Sequence, residues 1–266
     1  MYKHRLVPRL VCAALLSGLF GPVAQLEEAY ADGPAHSLYF PPPAVETQPP
    51  TRLSWDTTAS VFSSYIFRGL DLYDGLSFQP SVQPHVDLGS SGMLNAIMWL
   101  QAPLSHPSGS ERFFEMDTGL SYDYSLSRAT FSIGNYWYTF PGGAGPLPSR
   151  TEAWAAVALD TMLAPTFTVF YEYQRYNMQY YDINLSHTFE KSGEGAFNFT
   201  LFMDLGFASN AEAVYGSGGL VQMTSGVSTA IDVHGATVSP VFSYTASEDS
   251  ATVNKAWGGV TATYSF

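Results

Sequence analysis

The chain has 266 residues, with 11 Lys and Arg against 23 Asp and Glu, only 13% charged residues and a mean hydropathy of +0.01. With 46% hydrophobic and 15% aromatic residues it can bury far more apolar surface than a disordered chain, and abundant Tyr, Phe, Gly, Ser and Thr fit neither an ordinary soluble domain nor a helical membrane protein. A net charge of -12, with the few basic residues scattered singly, excludes a footprint for nucleic acid.

Residues 1–31 read as a secretory signal peptide. Lys3, Arg5 and Arg9 form a basic start, 10–23 is an apolar run too short to span a bilayer, and Ala29-Tyr30-Ala31 offers a cleavage site after Ala31. The single cysteine, Cys12, lies inside this segment, so the exported chain needs no disulfide. Val11 before it is no lipidation signal. Residues 32–54 read as a linker, because Pro34, Pro41 to Pro43, Pro49 and Pro50 favour an extended chain without ladder donors.

From residue 55 to 266 the sequence alternates with period two. Tyr181, Ile183, Leu185, His187 and Phe189 face Asp182, Asn184, Ser186, Thr188 and Glu190 on the other parity. Phe197, Phe199, Leu201, Met203 and Leu205 repeat the pattern, as do Phe114, Met116, Leu120, Tyr122 and Tyr124. Twelve such segments are read at 56–67, 76–88, 93–102, 114–124, 129–140, 151–162, 166–176, 181–190, 197–205, 221–233, 237–247 and 256–266. They are longer than ordinary soluble strands and suit tilted strands crossing a bilayer. Long links alternate with short ones, apart from a short link after the seventh segment. The expected fold is therefore an all-β, transmembrane antiparallel barrel of about 12 strands, with long extracellular loops, short turns and both ends on the periplasmic side. The bacterial outer membrane is the expected location.

The chain ends Ala262-Thr263-Tyr264-Ser265-Phe266, and Tyr264 and Phe266 resemble the C-terminal targeting signal of outer-membrane proteins, although Thr261 stands where glycine is common. Ser63-Ser64-Tyr65-Ile66-Phe67-Arg68-Gly69-Leu70, followed by Asp74-Gly75, resembles the TorF-type porin family. The similarity continues weakly through Glu115-Met116-Asp117, 119–123 and 136–142, covers roughly 56–190 and fades toward the C-terminus. It implies an outer-membrane barrel and no settled solute.

Giving the apolar parity to lipid leaves Asp87, Glu115, Asp117, Asp123, Glu152, Asp160, Glu172, Asp182, Glu190, Asp204 and Asp232 as candidates to line the lumen, joined by Arg68. A passage lined with carboxylates concentrates cations and repels anions. The expected function is a porin-like channel for small hydrophilic solutes that favours cations. The alternative is a non-conducting structural or receptor/adhesin barrel acting through its extracellular loops, with Trp99, Phe170 and Phe202 closing the lumen. The expected partners are outer-membrane lipids, the barrel-assembly machinery with periplasmic chaperones, and small solutes or cations.

Arg68 is expected to anchor acids on adjacent strands by bidentate bonds rather than to set a constriction. No enzyme is expected: Ser186 and His187 are adjacent on a strand and point to opposite faces, so they form no nucleophile–base couple. No catalytic group, metal site or cofactor motif is read from the sequence. Pro80 and Pro84 share a parity and withdraw ladder donors from one neighbouring strand, which predicts a bulge or an open seam.

Overall fold

The structure is a computed structural model and describes residues 53–105, 114–141, 148–190, 198–246 and 254–266. The expected signal peptide, and the linker up to residue 52, lie outside the described residues.

Alternating apolar and polar residues form the strands β1 (Leu53–Phe62), β2 (Tyr65–Phe67), β3 (Leu70–Tyr73), β4 (Ser77–Asp87), β5 (Met93–Pro103), β6 (Glu115–Leu126), β7 (Ala129–Thr139) and β8 (Arg150–Leu159). They continue as β9 (Thr166–Glu172), β10 (Met178–Phe189), β11 (Phe199–Ser209), β12 (Gly219–Thr229), β13 (Ile231–Val233), β14 (Ala236–Ala246) and β15 (Lys255–Ser265). One short helix, α1 (Glu212–Tyr215), lies between β11 and β12. Neighbours in sequence pair antiparallel from β4 through β12, β1 joins β4 to β15, β15 pairs β14, and β14 pairs β12. The sheet therefore closes on itself, with β13 continuing the course of β12 along β14. Twelve staves result, as the segment count predicts. Closure reaches the last residue, where Trp55 and Phe266 exchange backbone hydrogen bonds of 3.3 and 3.0 Å.

No helix among the described residues is long and apolar enough to cross a membrane; the strands do the crossing. Their outer face is a band of aliphatic side chains, including Leu120, Ile133, Val169, Leu201 and Val260, all exposed. Trp55, Tyr264, Phe266, Phe189 and Phe199 flank it at the rim holding the chain ends, and Trp137, Tyr171, Tyr173 and Tyr244 at the opposite rim. An apolar belt between two aromatic girdles is the surface a bilayer requires.

The first expected segment is corrected. β1 stops at Phe62, and 65–73 do not extend the wall but form a hairpin, β2 and β3, that turns into the barrel. Its two-residue turn is Arg68-Gly69, with φ of 49° and 83°. Positive φ at both positions is the turn whose twist matches a hairpin. Tyr65, Ile66, Phe67, Arg68, Leu70 and Tyr73 are all buried. The alternation of link lengths also has an exception at the terminal rim: nine residues, 190–198, separate β10 from β11.

The proline seam takes the form of interruptions without a bulge. The β1–β4 ladder runs unbroken from Leu53↔Val86 to Phe62↔Ser77. The β4–β5 ladder keeps one register but skips the positions of Gln79-Pro80 and Gln83-Pro84. Both prolines thus direct their missing donors at β5.

Candidate functional site

The interior divides across its height. On the side opposite the chain ends, the β2–β3 hairpin and α1 fold inward and pack on wall aromatics Tyr136, Tyr138, Trp154, Phe170 and Tyr180. Glycines make room for these rings. A Cβ at Gly119 would lie 2.4 Å from the Tyr136 ring, and one at Gly134 would lie 2.6 Å from Trp154, each facing its cross-strand partner.

Arg68 occupies the centre of this half. Its Nη1 and Nη2 donate to the two carboxylate oxygens of Glu152 on β8 at 2.9 and 2.8 Å. The guanidinium carbon lies 4.1 Å from the Phe170 ring centroid and 4.5 Å from that of Tyr180. Tyr138 donates to the same carboxylate at 2.9 Å, and the Tyr215 hydroxyl of α1 donates to the Arg68 carbonyl at 3.1 Å. Burial opposes the charge on Arg68, but the Glu152 carboxylate beside it outweighs burial and holds the guanidinium protonated. The sequence reading of Arg68 as a bidentate anchor is therefore what the geometry contains, although the arginine reaches Glu152 from a hairpin tip and not from a strand. Arg150, which shares parity with Glu152, stacks 4.4 Å from Tyr138 and 5.3 Å from Phe67. At the outer end of the hairpin, Lys255 donates to Asp71 at 2.8 Å and to Asp74, tying the insert to β15.

The half nearer the chain ends is polar and more open. Hydroxyl pairs cross the strands at Ser60–Thr261 (2.9 Å), Thr58–Thr263 (3.3 Å) and Thr188–Thr200 (2.8 Å). His85 contacts Asn95 at 2.7 Å and Asp56 at 3.3 Å through its two ring nitrogens, and Asn95 donates to Asp123 at 2.8 Å.

Of the carboxylates assigned to the lumen, Glu115, Asp117, Asp123, Glu152, Glu172 and Asp182 are buried on the inner face, and Asp204 points the same way half-buried. Asp204 accepts from Asn184 across the β10–β11 ladder. Glu172 faces inward but is spent on structure: its carboxylate caps the β9–β10 turn, accepting the backbone N–H of Gln174 and Arg175 at 2.8 Å and of Tyr176 at 2.5 Å.

Asp87, half-buried, keeps the inward parity as the last residue of β4 but spends its carboxylate at the rim, accepting the Gly89 N–H at 2.7 Å. Three placements are corrections. Asp160 lies in the turn after β8, its side chain 70% exposed and 3.6 Å from Arg128. Asp232 on β13 and Glu190 after β10 are exposed. Parity predicts facing only while a strand runs; beyond the break at Ala230 or past a strand end the side chain enters water at the rim.

Arg150, Gln101, Tyr138 and Lys255 were not singled out by the sequence reading. The segment read at 151–162 stops one residue short of Arg150, though counting back two residues from Glu152 puts it on the same face. Ser186 is buried and inward, whereas His187 on the opposite face contacts the Met162 carbonyl at 2.7 Å. Among the described residues no group of three or more His, Cys, Asp or Glu is arranged to hold a metal ion.

Comparison with solved structures places this architecture among outer-membrane barrels. LpxR from Salmonella typhimurium superposes with a TM-score of 0.53 at 9% identity, covering 79% of this chain and 99% of that one. An outer-membrane channel from Pseudomonas putida F1 gives 0.50 at 9% identity, covering 86% and 100%. The KdgM porin gives 0.49 at 10% identity, covering 80% and 99%. At such identities the likeness establishes the fold, that of bacterial outer-membrane proteins. No curated protein matches the sequence. A family match over residues 45–255 takes in every strand from β1 through β14 and reaches only the first residue of β15, and the chain belongs to the family described as "Bacterial protein of unknown function (Gcw_chp)".

Proposed function

We propose that the protein is a porin-like outer-membrane channel for small hydrophilic solutes, favouring cations, with the β2–β3 hairpin as its constriction. The observation that carries the reading is the charge of the inner face. Seven carboxylates from the predicted set point inward, with Glu152 engaged by Arg68, Glu172 by a turn, and Glu115 and Asp117 buried beneath the hairpin, against inward-facing Arg68, Arg150 and Lys255 and the imidazole of His85. Fixed negative charge in a confined aqueous path raises local cation concentration and repels anions. The TorF-type resemblance around Arg68-Gly69 and the fold shared with the P. putida channel support the same reading. Outer-membrane lipids, the barrel-assembly machinery and periplasmic chaperones are the partners this reading requires, with Tyr264 and Phe266 as the targeting signal.

Planar-bilayer recording under a salt gradient tests it. Discrete conductance steps with a reversal potential on the cation side support the channel, and anion preference overturns it. One observation favours a second reading. The hairpin and α1 fill the half of the barrel opposite the chain ends, as a non-conducting structural or receptor barrel acting through its loops would require. Silence in the same recordings would favour that reading.

A further inference from the structure

Beneath the hairpin lies a group of buried polar side chains that the Arg68–Glu152 pair does not use. Gln101 on β5 stands directly opposite Glu115 on β6, and Asp117 follows two residues later on the same inward face. Gln101 and Glu115 are fully buried, and Asp117 is 3% exposed. Neither side-chain atom of Gln101 has a hydrogen-bond partner among the described residues, nor has Oδ1 of Asp117. The Tyr65 hydroxyl of the hairpin faces Glu115 from above. An amide buried with both its donor and acceptor unsatisfied costs free energy unless something fills the space between it and its neighbours.

Charge points to the occupant. Glu152 is engaged by Arg68; Arg150 is stacked on Tyr138 and Phe67, leaves its Nη1 without a hydrogen-bond partner among the described residues, and its charge also acts on Glu115 and Asp117. Across these five groups, three carboxylates oppose two guanidinium groups, which leaves an excess negative charge out of contact with bulk water. Two carboxylates, an amide oxygen and a phenol oxygen form an oxygen-donor set suited to a hard cation, and water can complete its shell.

We propose that Gln101, Glu115 and Asp117, roofed by Tyr65, bind a small hard metal cation, with Ca2+ the ion that an all-oxygen donor set of carboxylates and an amide suits best. The ion fastens the hairpin to β5 and β6. It is a resident ion and not permeant cargo, so the proposal stands apart from the channel reading. The donors come from four residues, only two of them carboxylates.

The test uses the folded barrel in detergent, titrated with Ca2+ or Na+ in a buffer of bulky organic cations. Thermal unfolding and Tb3+ luminescence excited through Trp99 are followed together. Trp99 lies opposite Asp117 in register, and its ring centroid is 5.5 Å from that of Tyr65. The expected result is a saturable rise in unfolding midpoint with Ca2+, and a Tb3+ signal that Ca2+ competes away. Both should vanish in the Glu115→Gln/Asp117→Asn variant and weaken in Gln101→Leu. A larger response to Na+ than to Ca2+ would overturn the assignment to Ca2+. An unfolding midpoint and Tb3+ signal that ignore every ion, or persist unchanged in the folded double variant, would overturn the site. Heat-modifiable mobility shows that each variant compared has folded.

Discussion

The two halves of the barrel interior are built by the same strands and differ in almost everything else. Toward the chain ends, short hydroxyl side chains line the wall, and Thr58, Thr263 and Gln83 remain partly accessible. In the other half, Tyr65, Arg68, Glu115, Tyr136, Glu152 and Tyr180 have 2% or less of their surface exposed. Strand number explains why the difference must come from loops. Eight strands enclose a space that wall side chains can fill, whereas twelve enclose more than they can. Filling half of this barrel therefore takes inserted backbone, supplied by the β2–β3 hairpin and α1, while the half they do not reach stays polar. Any selectivity belongs to the wall, and any restriction belongs to the insert.

The largest expected effect comes from removing that insert. Replacing residues 64–75 with a short Gly/Ser link should turn a restricted conductance into large, steady open steps in planar bilayers. Equal conductance with and without the hairpin would erase the distinction between the halves.

Next is the buried ion pair. Glu152→Gln leaves the Arg68 guanidinium buried among aromatic rings without its carboxylate, and should lower stability by about 3–5 kcal/mol in denaturant unfolding of the folded barrel. Arg68→Ala should likewise reduce the unfolding temperature more than it changes ion selectivity. A selectivity change without loss of stability would move Arg68 from anchor to filter.

Much of this architecture was legible in the sequence, for a physical reason: one face of each strand meets lipid and the other does not, so the period of two runs through every stave. The proline seam was legible too, because a missing N–H has a direction fixed by parity. The hairpin was not. Tyr65-Ile66-Phe67 carries the same apolar and aromatic character as a wall strand, and Arg68-Gly69 is a weaker turn signal than Asn-Gly. Parity agrees with the buried inward placement of Glu115, Asp117 and Asp182 on continuous strands, and fails at Asp160, in the turn after β8, and at Asp232, on β13 beyond the break at Ala230. Glu172 shows a further limit: parity gives its direction but not its engagement by three backbone N–H groups.

Smaller effects sharpen the same comparison. Gly119→Ala and Gly134→Ala push a methyl group against Tyr136 and Trp154, and each should cost about 1–3 kcal/mol through overpacking. Thr58→Val, in the polar half, should cost less in the same unfolding assay, and a larger loss there would contradict the assignment of tight packing to one half. Lys255→Ala should change stability by no more than about 1 kcal/mol, because its ammonium is partly exposed. Loosening the outer end of the hairpin should instead appear as more frequent opening events in single-channel records.

The most direct test of the account is the reversal potential of the hairpin-shortened barrel across a KCl gradient, with wild type recorded alongside. The account predicts larger conductance than wild type and a reversal potential on the cation side, set by the carboxylates that remain on the wall. A shortened barrel that folds and stays silent, or that conducts with anion preference, would contradict it.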